Sequence, residues 1–473
     1  MKSQPAKTKI IATIGPASNK AEIIVDLAEA GMDIVRLNFS HGTYEEHEEN
    51  FSQVREAAKK WGNPIPILMD LGGPKLRIGE LENEFDLSEG DRIVITTDEV
   101  RGTRDRIPSQ YRNLARDMKA GETIFLDDGI IELRVDKIKG NDIHCRVIEG
   151  GRLKSKKGMN LPGVQISTPT VTDKDKRDVE FGLSHGVDFI ALSFVRSSDD
   201  IRELRRIIKS HGREVPIIGK IEKPEAISDI DNIIREADGI MVARGDLGVE
   251  MKTEEVPLLQ KMIIERCLYY NTPVITATQM LESMVKNGRP TRAEASDVAN
   301  AVLDGTDAVM LSAETSIGVY PLQAVSVMNT ICIRTEQYLK PIEWRFETPP
   351  DPDADLANDL SKAASVMAQA AKASAIIVVT RSGRTAKLIS KYRTNIPIIA
   401  FTENIETINL LKIYWGVHGE LIEGLGDTDT TLNCAKGLAL KLGYIAKGDN
   451  VVFVAGIPFF ETMHTNMIKL ERI

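Results

Sequence analysis

The chain has 473 residues, 42% of them apolar and 27% charged, with a formal net charge of −9. Its length is several times the usual single-domain size and calls for more than one hydrophobic core, while the ordinary apolar and charged fractions exclude a disordered chain. The acidic charge is spread without a long Lys/Arg run, which argues against a nucleic-acid partner, and the polar start together with the lack of a long apolar span argues against a membrane or secretory protein, so a cytoplasmic one is expected.

From the N-terminus, short apolar runs alternate with segments whose apolar residues recur at helical spacing, the rhythm of a buried parallel sheet. The runs are Ile10–Ile14, Ile34–Phe39, Ile65–Leu71, Phe189–Phe194, Ile217–Ile221, Gly239–Ala243, Pro273–Ala277 and Ala308–Leu311, with periodic segments such as Ala21–Ala30 and Ile201–Lys209 between them. This pattern predicts a TIM (β/α)8 barrel over 1–73 and 170–345. The wide gap between the third and fourth runs predicts an inserted all-β lid, a β-barrel over 74–169, with strands at Arg92–Thr97, Thr123–Leu126, Ile130–Val135 and Ile143–Val147 set off by turn residues. Leaving the barrel beside a strand's C-terminal end, the insert is placed to close over a site.

The Pro- and Asp-rich stretch Pro341–Asp353 is expected as a linker, followed by a C-terminal doubly wound α/β domain over 346–473. Its strands are expected at Ala375–Thr380, Pro397–Phe401 and Asn450–Ala455, and its helices include Ser361–Ala373 and Thr431–Leu442. Cys145, Cys267, Cys332 and Cys434 show no paired spacing and are expected as reduced packing residues.

Catalytic groups of a TIM barrel come from the C-terminal ends of its strands. Those ends carry Arg36-Leu37-Asn38-Phe39-Ser40-His41-Gly42, Asp70, Lys220-Ile221-Glu222-Lys223-Pro224, Ala243-Arg244-Gly245-Asp246, Thr276-Ala277-Thr278-Gln279 and Ser312-Ala313-Glu314-Thr315. Lys220 and Glu222, two residues apart on a strand, share a face. Alone the pair would be a barrel salt bridge, but Asp246 on the next strand adds a second carboxylate, the usual minimum for Mg²⁺. Arg36 offers a fork for phosphate or carboxylate oxygens, and the turn Gly245-Asp246-Leu247-Gly248 offers backbone N–H groups as an anion seat.

The strings Ile34-Val35-Arg36-Leu37-Asn38-Phe39-Ser40-His41-Gly42, Gly219-Lys220-Ile221-Glu222, Met241-Val242-Ala243-Arg244-Gly245-Asp246-Leu247-Gly248-Val249-Glu250, Ala277-Thr278-Gln279-Met280-Leu281-Glu282-Ser283-Met284 and Lys157-Gly158-Met159-Asn160-Leu161-Pro162-Gly163 resemble pyruvate kinase. The resemblance spans the whole chain, without the extra C-terminal domain of some bacterial members. It implies phosphoryl transfer from phosphoenolpyruvate to ADP, giving pyruvate and ATP, the last step of glycolysis, with Mg²⁺ as cofactor and Mn²⁺ as a substitute. By resemblance Lys220 stabilises the transferring phosphoryl and the enolate oxygen, Glu222 and Asp246 bind the metal, and Arg36 binds the phosphoryl. Gly245 and Asp246 seat the carboxylate, and Thr278 contacts substrate where the enolate is protonated. Thr278 with a water and Ser312 both remain open as proton donors. Asn38, Phe39, Ser40, His41, Arg77 and Lys157 match nucleotide-binding positions. The loop Thr380-Arg381-Ser382-Gly383-Arg384-Thr385 matches the site of a phosphorylated allosteric effector, and a homotetramer is implied. Many members hold K⁺ at positions matching Asn38, Ser40, Asp70 and Leu71 and carry a glutamate where this chain has Lys75. The resemblance to K⁺-independent members implies that the Lys75 ammonium replaces K⁺. A metal-dependent aldolase or lyase and a catalytically silent metabolite sensor are the rival readings, and neither accounts for the inserted lid together with the full Arg36, Lys220, Glu222, Asp246, Thr278 set.

Overall fold

Continuous apolar runs suit a sheet covered on both faces. In the computed structural model, which describes residues 6–164, 166–339, 355–423, 426–457 and 465–473, such runs form the strands Lys9–Thr13, Ile34–Asn38, Ile67–Asp70, Phe189–Leu192, Ile217–Ile221, Gly239–Ala243, Val274–Ala277 and Ala308–Leu311. Every residue in them except Asn38 is buried. The eight pair in parallel, each beside its predecessor, and the eighth closes on the first through Lys9↔Ala308 and Ile10↔Val309. The third and fourth strands are direct neighbours, with Phe189 opposite Leu68, although the insert separates them in sequence.

Successive residues of a strand face opposite sides. Thus Ile10, Val35, Ile67, Ile217 and Ile240 pack in the layer shared with the helices, whereas Ile11, Ile34, Leu68, Ile218 and Met241 belong to a second core that fills the barrel. This second core runs on into Ile376, Ile413, Tyr414 and Val452 of the C-terminal domain, so barrel floor and domain share apolar packing. Helices Tyr44–Trp61, Asp173–Ser184 and Arg292–Asp304 each start at a threonine capping box, at Thr43, Thr172 and Thr291.

The insert is built of short strands. Among the described residues it is a six-stranded sheet in the order Met159–Asn160, Thr123–Leu126, Ile131–Lys139, Asp142–Glu149, Arg92–Thr96, Arg106–Pro108, with a separate ribbon of Phe85–Leu87 and Gly151–Leu153. Residues 77–79 bridge its two end strands and close the sheet on itself: Arg77 pairs with Gly158, Ile78 with Ser109, and the Gly79 N–H donates to the Pro108 carbonyl at 2.7 Å. The sheet has its own core, including Ile95, Leu126, Leu133 and Val147.

The expected linker at Pro341–Asp353 lies outside the described residues. Among the described residues the C-terminal domain holds a five-stranded sheet in the order Val417–Leu421, Ile398–Thr402, Ala375–Val379, Asn450–Ala455, Met467–Arg472, parallel except for the last strand. Its helices are Asp355–Ala370, Arg384–Ser390, Ile405–Leu411 and Thr428–Leu442. The two outer strands escaped sequence reading because edge strands are half exposed and carry polar residues, here His418, Glu420, Lys469 and Glu471. Buried Arg393 ties this domain to the barrel, pairing with Asp307 at 3.0 Å and donating to the Gly305 carbonyl at 2.8 Å. Cys145, Cys267 and Cys332 are buried free thiols, and Cys434 is half-buried. Among the described residues no helix is long and apolar enough to cross a membrane.

Candidate active site

The parallel closure brings the C-terminal ends of the strands together at one mouth, and Asp70 stands at its centre. This carboxylate, only 1% exposed, accepts from Arg36 Nε at 2.8 Å, lies 2.8 Å from Arg36 Nη2 and accepts from Lys220 Nζ at 3.0 Å. Burial pushes the Asp70 carboxyl up, but Lys220 and Arg36 outweigh it and hold the group below its ordinary value. Sequence reading assigned Asp70 to a cation site; the structure shows it holding two protein cations, one on each of its oxygens.

Lys220 and Glu222, placed on one face by their spacing, meet at 3.0 Å. Lys220 Nζ also donates to Ser193 Oγ at 2.7 Å. Burial alone would lower the Lys220 ammonium, yet Asp70 and Glu222 raise it, so the cation stays charged inside the protein. Glu222 is 1% exposed and its second oxygen accepts from the Phe194 N–H at 2.7 Å. Burial raises its carboxyl, Lys220 opposes this, and the neighbouring Asp246 charge raises it again. Two carboxylates that repel one another beside a polar cleft suit a divalent cation. Among the described residues no group of three His, Cys, Asp or Glu gathers around a metal position. A cation held by this pair would complete its shell with water and substrate, as Mg²⁺ does.

Arg36 Nη1 donates to Thr13 Oγ1 at 2.9 Å, and Thr13 donates in turn to the Leu311 carbonyl at 2.8 Å, which ties the arginine to the first and eighth strands. Thr278 closes the seventh strand with φ of 70°, followed by Gln279 at 53°, a left-handed pair that a β-branched residue adopts only when its surroundings impose it. Arg244 imposes it, donating to the Thr278 carbonyl at 2.8 Å and pairing with Asp297 at 2.7 Å. Thr278 Oγ1 accepts from the Gly245 N–H at 2.7 Å. The N–H expected to face an anion is therefore turned onto the threonine. Ser312 stands half-buried at the end of the eighth strand, its N–H donating to Glu314 at 2.7 Å.

The nucleotide candidates spread over barrel and hinge. Asn38 Oδ1 accepts from Ser40 N at 3.1 Å. The Phe39 ring is not open to a ligand: it is buried and stacks on His47 with centroids 3.8 Å apart, because its side chain points to the helix layer. His41 is held below its ordinary value by partial burial and then by the Arg77, Lys75 and Arg36 cations, which marks a positive rim. Arg77 and Gly158 bridge across the antiparallel hinge, and Lys157 pairs with Asp127 at 2.7 Å.

Leu71 is fully buried and its carbonyl accepts from Ser193 Oγ at 2.7 Å. Lys75 is exposed at the cleft with Pro74, Asp128, Gly158 and Asp246, and it makes no hydrogen bond to Asn38, Ser40 or Asp70. In the C-terminal loop Arg381, Ser382 and Arg384 are exposed, and the Gly383 N–H donates to Thr380 Oγ1 at 3.0 Å. Thr385 does not join them, since its hydroxyl is buried against Thr465 at 2.6 Å.

Thr13 and Ser193 escaped sequence reading. Both obey the strand-end rule that found Arg36 and Lys220, but a single hydroxyl at a strand end is too common to single out without its partners.

The chain matches two family models, the pyruvate kinase barrel domain over residues 5–325 and the pyruvate kinase alpha/beta domain over 358–471. It is 45% identical over 471 residues to a pyruvate kinase of Geobacillus stearothermophilus, covering 99% of this chain and 80% of that protein. A Staphylococcus aureus pyruvate kinase is 43% identical over 473 residues with the same coverage. A crystal structure of a pyruvate kinase from Cryptosporidium parvum superposes with a TM-score of 0.93 at 38% identity, covering 100% of this chain and 97% of that one.

Proposed function

The chain belongs to the pyruvate kinase family, a family of phosphotransferases, and we propose that its barrel mouth transfers a phosphoryl group from phosphoenolpyruvate to ADP by electrostatic clamping. The observation that carries this reading is the buried network in which Asp70 fixes Lys220 and Arg36 side by side, next to the Glu222 and Asp246 carboxylates. In such a transfer an oxygen of the ADP β-phosphate forms a bond to phosphorus as the bond to the enol oxygen breaks, and charge spreads over the phosphoryl oxygens. Cations already in place stabilise that charge without reorganising. Lys220 serves the phosphoryl and enolate oxygens, and Arg36 serves the phosphoryl. Thr278, through a water, or Ser312 delivers the proton to the enolate carbon. Glu222 and Asp246 would hold Mg²⁺ or Mn²⁺, which supplies further positive charge to the same oxygens.

The half-buried rim of Arg77, Lys157 and the Asn38-to-His41 turn, exposed only at His41, serves ADP, with Phe39 contributing backbone only. The Lys75 ammonium, on a flexible stem in the same cleft, takes the place of K⁺ once substrates close the lid, so K⁺ is not required. Arg381, Ser382 and Arg384 form an exposed basic loop for a phosphorylated effector, a sugar phosphate or a nucleoside monophosphate, and a homotetramer in the cytoplasm gives that effector interfaces to act through.

The test is turnover of Lys220→Met in a lactate dehydrogenase-coupled assay with ADP, phosphoenolpyruvate and Mg²⁺. We expect a folded variant whose kcat falls by about 10³-fold or more, by the scale of other phosphoryl-clamping cations. A variant retaining more than about a tenth of the wild-type rate refutes the clamp.

A further inference from the structure

We infer that Ser193 is a positioning residue for the phosphoryl transfer, its hydroxyl fixing the Lys220 ammonium by bridging it to the Leu71 carbonyl. The inference rests on the clamp assigned to Lys220.

A hydroxyl has one proton and two lone pairs. Ser193 Oγ donates that proton to the Leu71 carbonyl at 2.7 Å, so only a lone pair is left to face Lys220 Nζ, also at 2.7 Å. The serine is thus a fixed acceptor for the lysine, 3% exposed and closed to bulk water. An ammonium has three donors, and those of Lys220 meet three acceptors: Asp70 at 3.0 Å, Glu222 at 3.0 Å and Ser193.

The three anchors differ in kind. Asp70 is shared with Arg36, and Glu222 stands beside Asp246 in the pair suited to a divalent cation. For Lys220 to meet a phosphoryl oxygen, one N–H must leave a carboxylate. Ser193 alone among the three is neutral. It holds the nitrogen in place without offsetting the positive charge on which the transfer depends.

The backbone supports this role. Phe194, the next residue, has φ of 57° and directs its N–H to Glu222 Oε2 at 2.7 Å, so one strained turn grips the lysine through its hydroxyl and the carboxylate through its amide. Gly73, at φ of 62°, lies against the turn: a Cβ there would come within 3.0 Å of Ser193 Cβ and 2.8 Å of Phe194 Cδ2. The third strand's end thereby fixes the fourth strand's end, which fixes the lysine on the fifth.

The experiment compares Ser193→Ala and the near-isosteric Ser193→Cys, whose sulfur is a poor acceptor, with wild type at saturating Mg²⁺. Loss of one anchor to a charged group is expected to lower kcat by about 10- to 100-fold in both variants, with KM for phosphoenolpyruvate and ADP within about threefold. Melting temperatures should stay within a few degrees of wild type, because the alanine removes one oxygen and leaves the packing intact. A kcat within about threefold of wild type in either variant overturns the proposal, as does a loss accompanied by a parallel rise in both KM values and a large drop in melting temperature. Lys220→Met separates the two levels. If it is inactive while Ser193→Ala is normal, only the role of Ser193 falls; if it remains active, the clamp and this inference fall together.

Discussion

Replacing Asp70 by asparagine removes one charge and almost no volume at the point where two buried cations meet. The carboxylate gives one oxygen to Arg36 and the other to Lys220. An amide presents one acceptor and two N–H donors, so either the guanidinium or the ammonium faces another donor. Breaking a buried pair by neutralising one partner costs about 3–5 kcal/mol, because a charge remains desolvated without compensation. At a few degrees per kcal/mol for a unit of barrel size, the melting temperature should fall by roughly 6–20 °C. Turnover should fall by about 100-fold, equivalent to about 2.7 kcal/mol, the upper range for one hydrogen bond to a charged group. The pH dependence follows from the direction of the shift. Asp70 titrates below its ordinary value in the folded chain, so its stabilisation is complete above about pH 4, where the unfolded carboxyl ionises, and is lost as pH falls through the lower folded value. The stability gap between wild type and Asp70→Asn should therefore be constant from about pH 5 to 7 and narrow in stronger acid. Scanning fluorimetry across this range, with the coupled assay at pH 7, makes the measurement. A melting temperature within about 2 °C of wild type together with a kcat within about threefold would refute the view of Asp70 as common anchor.

Wild type should show full activity with Mg²⁺ when tetramethylammonium replaces K⁺, and Lys75→Glu should acquire at least partial K⁺ dependence; a wild-type rate that collapses without K⁺ contradicts the ammonium substitution. Ser382→Glu, placing an anion between exposed Arg381 and Arg384, should abolish activation by sugar phosphates or nucleoside monophosphates while leaving basal kcat unchanged, and unaltered activation would put the effector elsewhere. Arg393→Ala leaves Asp307 buried without its partner at the junction of barrel and C-terminal domain, so thermal stability should drop by about 3–5 kcal/mol, measured by calorimetry, and an unchanged transition would show that the junction does not depend on this pair.

The alternation of apolar runs and helical periodicity was enough to expect the barrel, since strands buried on both faces tolerate little besides Val, Ile, Leu and Ala. The period of two along a strand likewise put Lys220 and Glu222 on one face, and the structure has them 3.0 Å apart. Local rules of this kind end where a residue's partner is remote in the chain. That Asp70 grips Lys220 across 150 positions and that Ser193 links Leu71 to the same lysine depend on which strand ends the closed barrel brings together. The buried face of Phe39, within a string otherwise suited to nucleotide, and the turning of the Gly245 N–H onto Thr278 were also decided by packing. So were the outer strands Val417–Leu421 and Met467–Arg472, whose half-exposed residues lack an apolar signature and which form because a neighbouring strand offers its free backbone N–H and C=O groups. The sequence alone determined which groups stand at the strand ends; closing the barrel decided which of them touch, because contact between distant residues is a property of the closed sheet and of no single segment.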